Sequence, residues 1–279
     1  MIPPIASQFV AGETPAAAFD HIRETNEDGV KVILNLLGEH YDNRAEADQD
    51  TATYLQLVRD IGNTDLDACV SVKPSQIGLD AGDDVFRENF RAIAEAGDQH
   101  DVFVWCDMED HTTTDVTLDA FEEFAREFEG GIGLCVQANL KRTKDDLRRL
   151  VDVPGKIRLV KGAYDEPREV AYKEKSEVDA AYREYLEFMF EQFEGGIAVG
   201  SHDPAMIEFA RELHDEYGTD FEVQMLMGVR EDAQRELVAD GYEVWQYAPY
   251  GGKWFSYFYR RVRERKENAL FALRAVVGQ

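Results

Sequence analysis

The sequence predicts an α/β fold in which strand–helix units close into one (βα)8 barrel domain over residues 1–279. Three observations support this fold class. Short apolar runs alternate with longer charged stretches of helical period, and the alternation recurs roughly every 25 to 40 residues. A chain of 279 residues with 44% apolar side chains is also long enough to bury one large core. No Pro/Ser-rich linker or low-complexity tract divides the chain, so we expect a single domain.

The strand and helix predictions follow from this alternation. Eight apolar runs are predicted as strands: Val30 to Leu37, Ala68 to Val72, Val102 to Cys106, Ile132 to Ala138, Ile157 to Val160, Gly196 to Gly200, Phe221 to Leu226 and Tyr242 to Tyr247. Amphipathic stretches predicted as helices are Ala45 to Ile61, Asp84 to Gly97, Leu118 to Glu129, Val178 to Phe193, Pro204 to Tyr217 and Arg230 to Ala239. Such repeats imply right-handed crossovers and a parallel sheet.

An open, doubly wound sheet is the alternative to a barrel. Its nucleotide-binding version is disfavoured because no G-x-G-x-x-G or G-x-x-x-x-G-K-[ST] pattern opens any predicted helix. Eight units in about 250 residues favour closure into a barrel.

The charge balance excludes some classes of partner. The chain carries 56 acidic and 30 basic side chains, for a net charge of −26. This excess repels nucleic-acid phosphates and anionic lipid head groups, so we expect neither as a partner. Because the acids are spread along a chain that is 11% aromatic, they indicate a carboxylate-covered folded surface rather than an acidic disordered tail. We expect a protein adapted to high salt, as in a halophile.

Targeting and metal patterns are absent from the sequence. No uncharged run approaches the roughly 18 residues of a membrane-spanning helix, and the amino terminus has no basic segment followed by an apolar one. We therefore expect a protein that is neither secreted nor membrane-spanning. Cys69, Cys106 and Cys135 each lie in a separate apolar run with no C-x-x-C pair, which predicts reduced core residues and no metal site.

Polar residues end several of the apolar runs, and the chemistry of a barrel lies at the carboxyl ends of its strands. These residues are Lys73, Asp107, Gln137, Arg158, Lys161, Ser201, His202 and Tyr247. Each alone has a structural explanation, as a loop cation, a helix cap or a hydrogen-bonded core group. Together they indicate one functional mouth, because ionisable groups that converge there need partners.

A second group of polar residues lies near the carboxyl terminus. Tyr257, Arg260, Arg261 and Glu264 share one face of a predicted helix, beside an apolar stripe. One interpretation is a solvated face with Arg260 and Glu264 at salt-bridge spacing. The other is a clamp for a carboxylate, since adjacent guanidinium groups bind carboxylates through forked hydrogen bonds.

Nine stretches of the chain, in order, resemble the proline dehydrogenase family. They are Asn35 to Glu39, Val70 to Gly78, Trp105 to Glu109, Gln137 to Arg142, Arg158 to Tyr164, Gly200 to Asp203, Gln224 to Gly228, Tyr247 to Gly251 and Tyr257 to Glu264. The resemblance implies a distorted barrel with FAD across the strand ends and the last helix over the mouth. It also implies oxidation of L-proline to 1-pyrroline-5-carboxylate by hydride transfer to the flavin, the first step of proline catabolism.

The resemblance also implies roles for individual residues. Asp107 and Arg158 correspond to the active-site pair, and Arg260 and Arg261 to the clamp on the proline carboxylate. The substrate-binding set is Lys73, Tyr164, Leu226, Tyr247, Tyr257, Arg260, Arg261 and Glu264. The flavin-binding set is Met108, Gln137, Arg158, Lys161, Gly162, Ala163, Ser201 and His202.

The electron acceptor, the cellular location and the alternative functions are also matters of expectation. The resemblance implies a membrane quinone or a similar electron acceptor and a cytoplasmic protein, with peripheral contact at the inner face of the membrane as an option. Since the chain opens almost directly on Phe9 to Glu13 and no second dehydrogenase domain follows, we expect a monofunctional enzyme of undetermined oligomeric state. Three alternatives stay open. They are a hydroxyproline dehydrogenase, a Schiff-base lyase that uses Lys73 or Lys161, and a carboxylate-binding barrel without flavin.

Overall fold

The computed structural model describes residues 6–255 as a closed barrel of eight parallel strands, in the order β1 to β8 with β8 paired to β1. The strands are β1 (Lys31–Leu36), β2 (Ala68–Val72), β3 (Val104–Cys106), β4 (Ile132–Gln137), β5 (Lys156–Val160), β6 (Ile197–Gly200), β7 (Phe221–Leu226) and β8 (Glu243–Tyr250). The predicted fold class is confirmed, and the open doubly wound sheet is wrong.

Helices surround the barrel. They are α1 (Pro15–Glu27), α2 (Arg44–Gly62), α3 (Asp83–His100), α4 (Thr114–Glu127), α5 (Thr143–Leu150), α6 (Lys175–Gln192), α7 (Pro204–Tyr217) and α8 (Glu231–Ala239). The main apolar core lies between this ring and the strands, and the packing of Phe90 on Phe124, with ring centroids 5.4 Å apart, joins α3 to α4 within it. No described helix is both long enough and apolar enough to cross a membrane.

Most predicted boundaries agree with the structure, and β8 is the largest departure among the strands. The prediction ended this strand at Tyr247, whereas it continues to Tyr250. Its last residues pair with β1, with Pro249 opposite Asn35 and Tyr250 opposite Leu36. A proline is tolerated there because it still offers its carbonyl, and the Pro249 oxygen accepts a hydrogen bond of 2.8 Å from the Ala11 amide.

Two helices, α1 and α5, were absent from the sequence prediction. The start of α1 has a recognisable pattern, since Thr14 caps it by accepting a hydrogen bond from the Ala17 amide at 3.3 Å and Pro15 occupies its first turn. Helix α5 has only eight residues, too few for a clear apolar period.

Helix α1 precedes β1 in the chain but covers the seam where β8 meets β1. His21 of α1 reaches Gln246 of β8, with Nε2 2.7 Å from Oε1. Asp28, at the end of α1, pairs with Arg235 of α8 at 3.4 Å. Helix α1 therefore lies beside α8 and over the closing seam of the barrel.

The three cysteines are buried and free, as predicted. Burial raises the pKa of each thiol, as at Cys69 and Cys106, where the pKa lies well above its ordinary value. These side chains are therefore protonated core residues.

Candidate active site

A cavity of about 530 Å3 opens at the carboxyl ends of the strands. Every predicted site residue that falls within residues 6–255 lines this cavity. These residues are Lys73, Asp107, Met108, Gln137, Arg158, Lys161, Gly162, Ala163, Tyr164, Ser201, His202, Leu226 and Tyr247. The expectation that the polar strand ends converge on one mouth is confirmed.

The carboxyl-terminal group of predicted residues lies outside the described part of the chain. This group consists of Tyr257, Arg260, Arg261 and Glu264. The choice between a carboxylate clamp and a solvated helix face therefore stays a prediction.

Asp107 is the centre of the hydrogen bonding at the floor of the cavity. The residue follows β3, and its backbone amide is anchored to the Val72 carbonyl of β2 at 2.9 Å. One carboxylate oxygen, Oδ1, accepts from the Arg158 guanidinium and from the Ser71 hydroxyl, the latter at 2.9 Å. The other oxygen, Oδ2, accepts from the Tyr247 hydroxyl at 2.7 Å. Three donors therefore fix the orientation of this carboxylate.

Tyr247 stays a hydrogen-bond donor in this arrangement. Burial raises the pKa of its phenol well above the ordinary value, and the negative charge of Asp107 acts in the same direction. The phenol is therefore protonated at neutral pH and donates to the carboxylate.

Arg158 is held on four sides inside the barrel. Its side chain projects from β5 and is only 4% exposed. The guanidinium carbon lies 4.9 Å from the centroid of the Trp105 ring and 5.6 Å from that of Tyr247. Nη2 donates to Asp107, and Nη1 donates to Oε1 of Gln224 at 2.9 Å. These contacts fix a cation at the base of the cavity.

Glu109 is a buried carboxylate that sequence reasoning missed. It accepts hydrogen bonds from the Ser75 amide at 2.6 Å, the Ser75 hydroxyl at 2.8 Å and the Tyr164 hydroxyl at 3.4 Å. Burial raises its pKa, against the lowering effect of the two bonds from Ser75. Its backbone oxygen also accepts from the Gln137 amide at 2.6 Å. Glu109 thereby connects three of the loops around the mouth.

Lys161 is paired with two carboxylates at the rim of the cavity. Its ammonium lies 2.5 Å from Asp179 and 2.8 Å from Asp203. Burial acts to lower the pKa of Lys161, but the two carboxylates outweigh it, so the pKa lies above its ordinary value. Lys161 is therefore charged at neutral pH, the opposite of what an imine-forming amine requires.

Gly162 allows the backbone to pass close to the base of the loop after β4. Its φ is +109°, and a Cβ at this position would lie 2.1 Å from Oδ1 of Asn139. Only glycine fits both the backbone conformation and the space. The main chain of Gly162 and Ala163 consequently forms part of the cavity wall.

His202 is fixed by the strand beside it. Its Nε2 accepts a hydrogen bond from the Leu226 amide at 2.8 Å, so this nitrogen carries no proton. The next residue, Asp203, caps α7 by accepting from the Ala205 amide at 3.1 Å. The loop between β6 and α7 is thus tied at both ends.

Several other residues line the cavity without having been predicted as site residues. They are Asn35, Glu39, Cys135, Val160, Gly200, Asp203, Gln224 and Met225. Strand alternation would have identified Gln224, because it lies two residues before Leu226 on β7 and so faces the same side. Asn35 bonds the Ser71 carbonyl at 2.9 Å and lies 3.5 Å from the Lys73 ammonium.

The chain is similar to known proteins along nearly its whole length. Residues 18–274 match a family described as proline dehydrogenase. The chain is 35% identical to proline dehydrogenase 1 of Bacillus subtilis strain 168, over 98% of this chain and 90% of that protein. It is 36% identical to a proline dehydrogenase of Deinococcus radiodurans, again over 98% of this chain and 90% of that protein.

Solved structures of larger proteins contain the same fold. Proline utilization A from Bdellovibrio bacteriovorus matches with a TM-score of 0.84 and 24% identity, over 92% of this chain and 32% of that one. Proline utilization A from Corynebacterium freiburgense matches with a TM-score of 0.79 and 25% identity, over 96% of this chain and 31% of that one. This chain therefore spans about a third of those proteins, and the similarity supports its barrel fold.

Proposed function

This chain belongs to the proline dehydrogenase family, and on that premise we propose that its cavity binds FAD next to L-proline and yields 1-pyrroline-5-carboxylate. Family membership makes the chain a flavin-dependent oxidoreductase that oxidises proline. The proposal adds the identity of the flavin, the product and the roles of the residues. The observation that carries it is the hydrogen-bonded Asp107–Arg158–Tyr247 group, with its buried arginine, at the carboxyl ends of the barrel strands.

The residues around the cavity fit a flavin. Its volume of about 530 Å3 is within the usual range of ligand pockets, and the main chain of Gly162 and Ala163 forms part of its wall. Amide, guanidinium and ammonium groups line it, matching a ring system with several nitrogen and oxygen acceptors. The residues that would hold the flavin are Met108, Gln137, Arg158, Lys161, Gly162, Ala163, Ser201 and His202.

A bound flavin supplies the hydride acceptor, while the protein supplies orientation and electrostatics. The fixed Arg158 guanidinium supplies positive charge at the base of the cavity without reorganising during the reaction. Asp107 already accepts three hydrogen bonds, so we assign it the task of orienting Arg158 and Tyr247 rather than that of a free base.

The proposed substrate contacts divide between a charged end and an apolar end. Arg260 and Arg261 would clamp the proline carboxylate through forked hydrogen bonds, with Lys73 beside them and Glu264 holding one arginine in place. The residues proposed to pack around the pyrrolidine ring are Tyr164, Leu226, Tyr247 and Tyr257. Holding the carboxylate would aim one ring carbon at the flavin, an orientation effect.

The Schiff-base alternative loses support at Lys161, which two carboxylates keep as an ammonium ion. Borohydride treatment in the presence of a 2-oxo acid tests the remaining candidate, Lys73, because it would reduce an imine between the lysine amine and the ketone to a stable adduct. We expect no adduct by mass spectrometry.

The test of the proposed function is direct. The purified protein should absorb in the visible blue, release FAD on denaturation and reduce a dye when given L-proline. The same assay with 4-hydroxyproline tests substrate preference, for which we expect proline to be the better substrate. A colourless protein that stays inactive after FAD is added back would overturn the proposal.

We further propose a cytoplasmic enzyme, formed by residues 1–279 as one domain, that passes its electrons to a membrane quinone. The support is the resemblance of the sequence to its family. Reduction of a soluble quinone analogue at the expense of proline tests the acceptor, and failure with every quinone tested while dyes are reduced would contradict it.

A further inference from the structure

A continuous row of polar side chains runs down the interior of the barrel from the active site. Below Asp107, the Arg158 guanidinium donates to Oε1 of Gln224 at 2.9 Å, and Nε2 of Gln224 donates to Oε1 of Glu222 at 2.6 Å. Glu222 in turn forms an ion pair with Lys156. Barrel interiors are normally filled with branched apolar side chains, so this row needs an explanation.

Strand alternation places these residues at two successive levels. Arg158 lies two positions beyond Lys156 on β5, and Gln224 lies two beyond Glu222 on β7, so all four side chains face inward. Arg158, Gln224 and Glu222 are each only 4% exposed. Across residues 6–255, none of their buried nitrogen or oxygen atoms lacks a hydrogen-bond partner.

The direction of these hydrogen bonds determines how the Gln224 amide is turned. A carboxylate only accepts hydrogen bonds and a guanidinium only donates them, whereas an amide has one end of each kind. Because Glu222 accepts a hydrogen bond from the amino group of the Gln224 side chain, the amide oxygen of Gln224 faces Arg158. If the amide turned over, two donors would face each other across the barrel.

We propose that Glu222, held by Lys156, is a positioning residue for the reaction: it orients Gln224, which in turn holds the Arg158 guanidinium at the base of the active site. This inference rests on the proposed function, which places Arg158 beside the flavin. Glu222 and Lys156 touch neither flavin nor proline in this scheme and act only through Gln224.

Stability alone does not explain this row. Burial raises the pKa of Glu222, with Lys156 and Gln224 opposing the shift, so placing this carboxyl group inside the barrel carries a desolvation penalty. Replacing a buried ion pair by well-packed apolar residues is often neutral or stabilising. A barrel that needed only a packed interior would therefore have no use for these charges.

The experiment compares two glutamates at the same level of the barrel. Glu243 lies opposite Glu222 in the β7–β8 register but pairs with Lys31 at 3.3 Å and accepts from Trp245 at 2.7 Å. The glutamine in Glu222→Gln has one acceptor end, which the Lys156 ammonium takes, so its amino end faces Gln224 and turns that amide over. We expect Glu222→Gln to lower kcat about tenfold or more while KM for proline stays within about twofold, because the proposed carboxylate clamp is unaffected. Glu243→Gln removes the same charge and should keep wild-type kcat. Equal kinetics for the two variants would overturn the inference.

A double-mutant cycle tests whether Glu222 acts through Gln224. Gln224→Met removes the acceptor of Arg158, so adding Glu222→Gln to it should lower kcat no further. Independent, multiplicative effects would overturn the inference. If Glu222→Gln does not fold, the Glu222→Leu/Lys156→Met variant, which leaves neither an unpaired charge nor an acceptor for Gln224, carries the same expectations.

The midpoint potential of the bound flavin gives a readout separate from activity. A well-placed guanidinium favours the more negative, reduced flavin, so misplacing Arg158 should lower the potential in both Glu222→Gln and Gln224→Met. A simple through-space effect of losing the Glu222 charge would instead raise it, and that result contradicts the inference. Wild-type protein that binds no flavin or leaves proline unoxidised overturns the proposed function itself, and this inference with it.

Discussion

Arg158 and Arg149 make similar contacts in two different regions of the molecule. Arg158 lies inside the barrel, 4% exposed, between Asp107 and Gln224. Arg149 lies on the outer ring, 36% exposed, and joins α5 to α4 through Asp119 and Glu122. Water competes for the contacts of Arg149 but not for those of Arg158. The position of an ion pair, rather than the number of pairs, therefore determines how much each one contributes to stability.

The outer ring repeats the pattern of Arg149 between successive helices. Exposed interhelical ion pairs of this kind are Arg44–Glu88, Arg87–Glu123, Arg91–Glu127 and Lys144–Glu184. Each joins one helix to the next around the barrel. In a chain of net charge −26 they use the few available cations to bridge acidic helices. The interior pairs instead orient chemical groups.

The largest effect is expected for Arg158→Gln. The change removes the cation at the base of the cavity and leaves the Asp107 carboxylate with two neutral hydrogen-bond donors only. We expect a loss of about 3 kcal/mol or more in unfolding free energy, as for a buried pair that loses one partner. In steady-state assays kcat/KM for proline should fall about a hundredfold or more. Wild-type stability together with wild-type kinetics would remove the contrast between the two regions.

The Arg260→Met and Arg261→Met variants test whether these two arginines bind a specific partner, as Arg158 does, or form solvated ion pairs, as Arg149 does. If they clamp the substrate, each loses a charge-assisted hydrogen bond worth about 1.5 to 3 kcal/mol, so kcat/KM falls about tenfold to a hundredfold. Arg261→Lys should not restore activity, because an ammonium cannot form the planar fork. If they lie on a solvated face, the change costs less than about 1 kcal/mol.

Flavin content is the control for that comparison. It should stay at the wild-type level in the Arg260 and Arg261 variants, as measured by absorbance of the purified proteins. Replacement of Gln137 or Lys161, which line the cavity wall, should lower it. Kinetics of both arginine variants that match the wild type would refute the clamp.

The next prediction compares a glycine that has no room for a side chain, Gly162, with one that has room, Gly195. Gly162→Ala forces a Cβ onto Asn139 at a φ of +109°, and strain of this kind typically costs about 1 to 3 kcal/mol. We expect reduced flavin content and a lower melting temperature. Gly195→Ala is the matched control, since its Cβ would meet nothing within 4 Å. Equal melting temperatures for the two variants would show that the loop after β5 relaxes freely.

The sequence was sufficient for the fold and for the polar strand ends. Asp107 and Tyr247 could be found because each ends or lies within an apolar run, and in a parallel barrel all such ends meet at one mouth. Their bond to each other, 140 residues apart in the chain, follows only from the closure of the barrel.

The contacts inside the barrel could not be predicted in the same way. The bonds between Arg158 and Gln224, and between Lys156 and Glu222, join β5 to β7 across the interior, past the intervening β6. Such contacts depend on the stagger of the closed barrel, which no local pattern specifies. Glu109 was missed for another reason, since it lies in a loop after β3 and its partner Ser75 lies in the loop after β2.

Added salt should change the contribution of the outer region to stability and leave the contribution of the interior unchanged. With a net charge of −26, self-repulsion falls as the Debye length shrinks from about 10 Å at 0.1 M to about 3 Å at 1 M salt. We expect the melting temperature to rise between dilute buffer and molar salt. A value that stays flat or falls over that range would contradict the view that the acidic surface is adapted to high salt.

The smallest effect is expected for Arg149→Gln, the same chemical change as Arg158→Gln in the outer region. Its partners Asp119 and Glu122 become solvated when the cation is lost, so the unfolding free energy should fall by less than about 1 kcal/mol. The variant also makes an acidic surface more acidic, and this part of the loss should disappear in molar salt. The loss from Arg158→Gln should persist there, because a buried pair is poorly screened. Denaturant unfolding of both variants at low and high salt measures the difference. An Arg149→Gln loss as large as that of Arg158→Gln, and equally insensitive to salt, would mean that the outer ion pairs hold the helices as firmly as the interior holds its arginine.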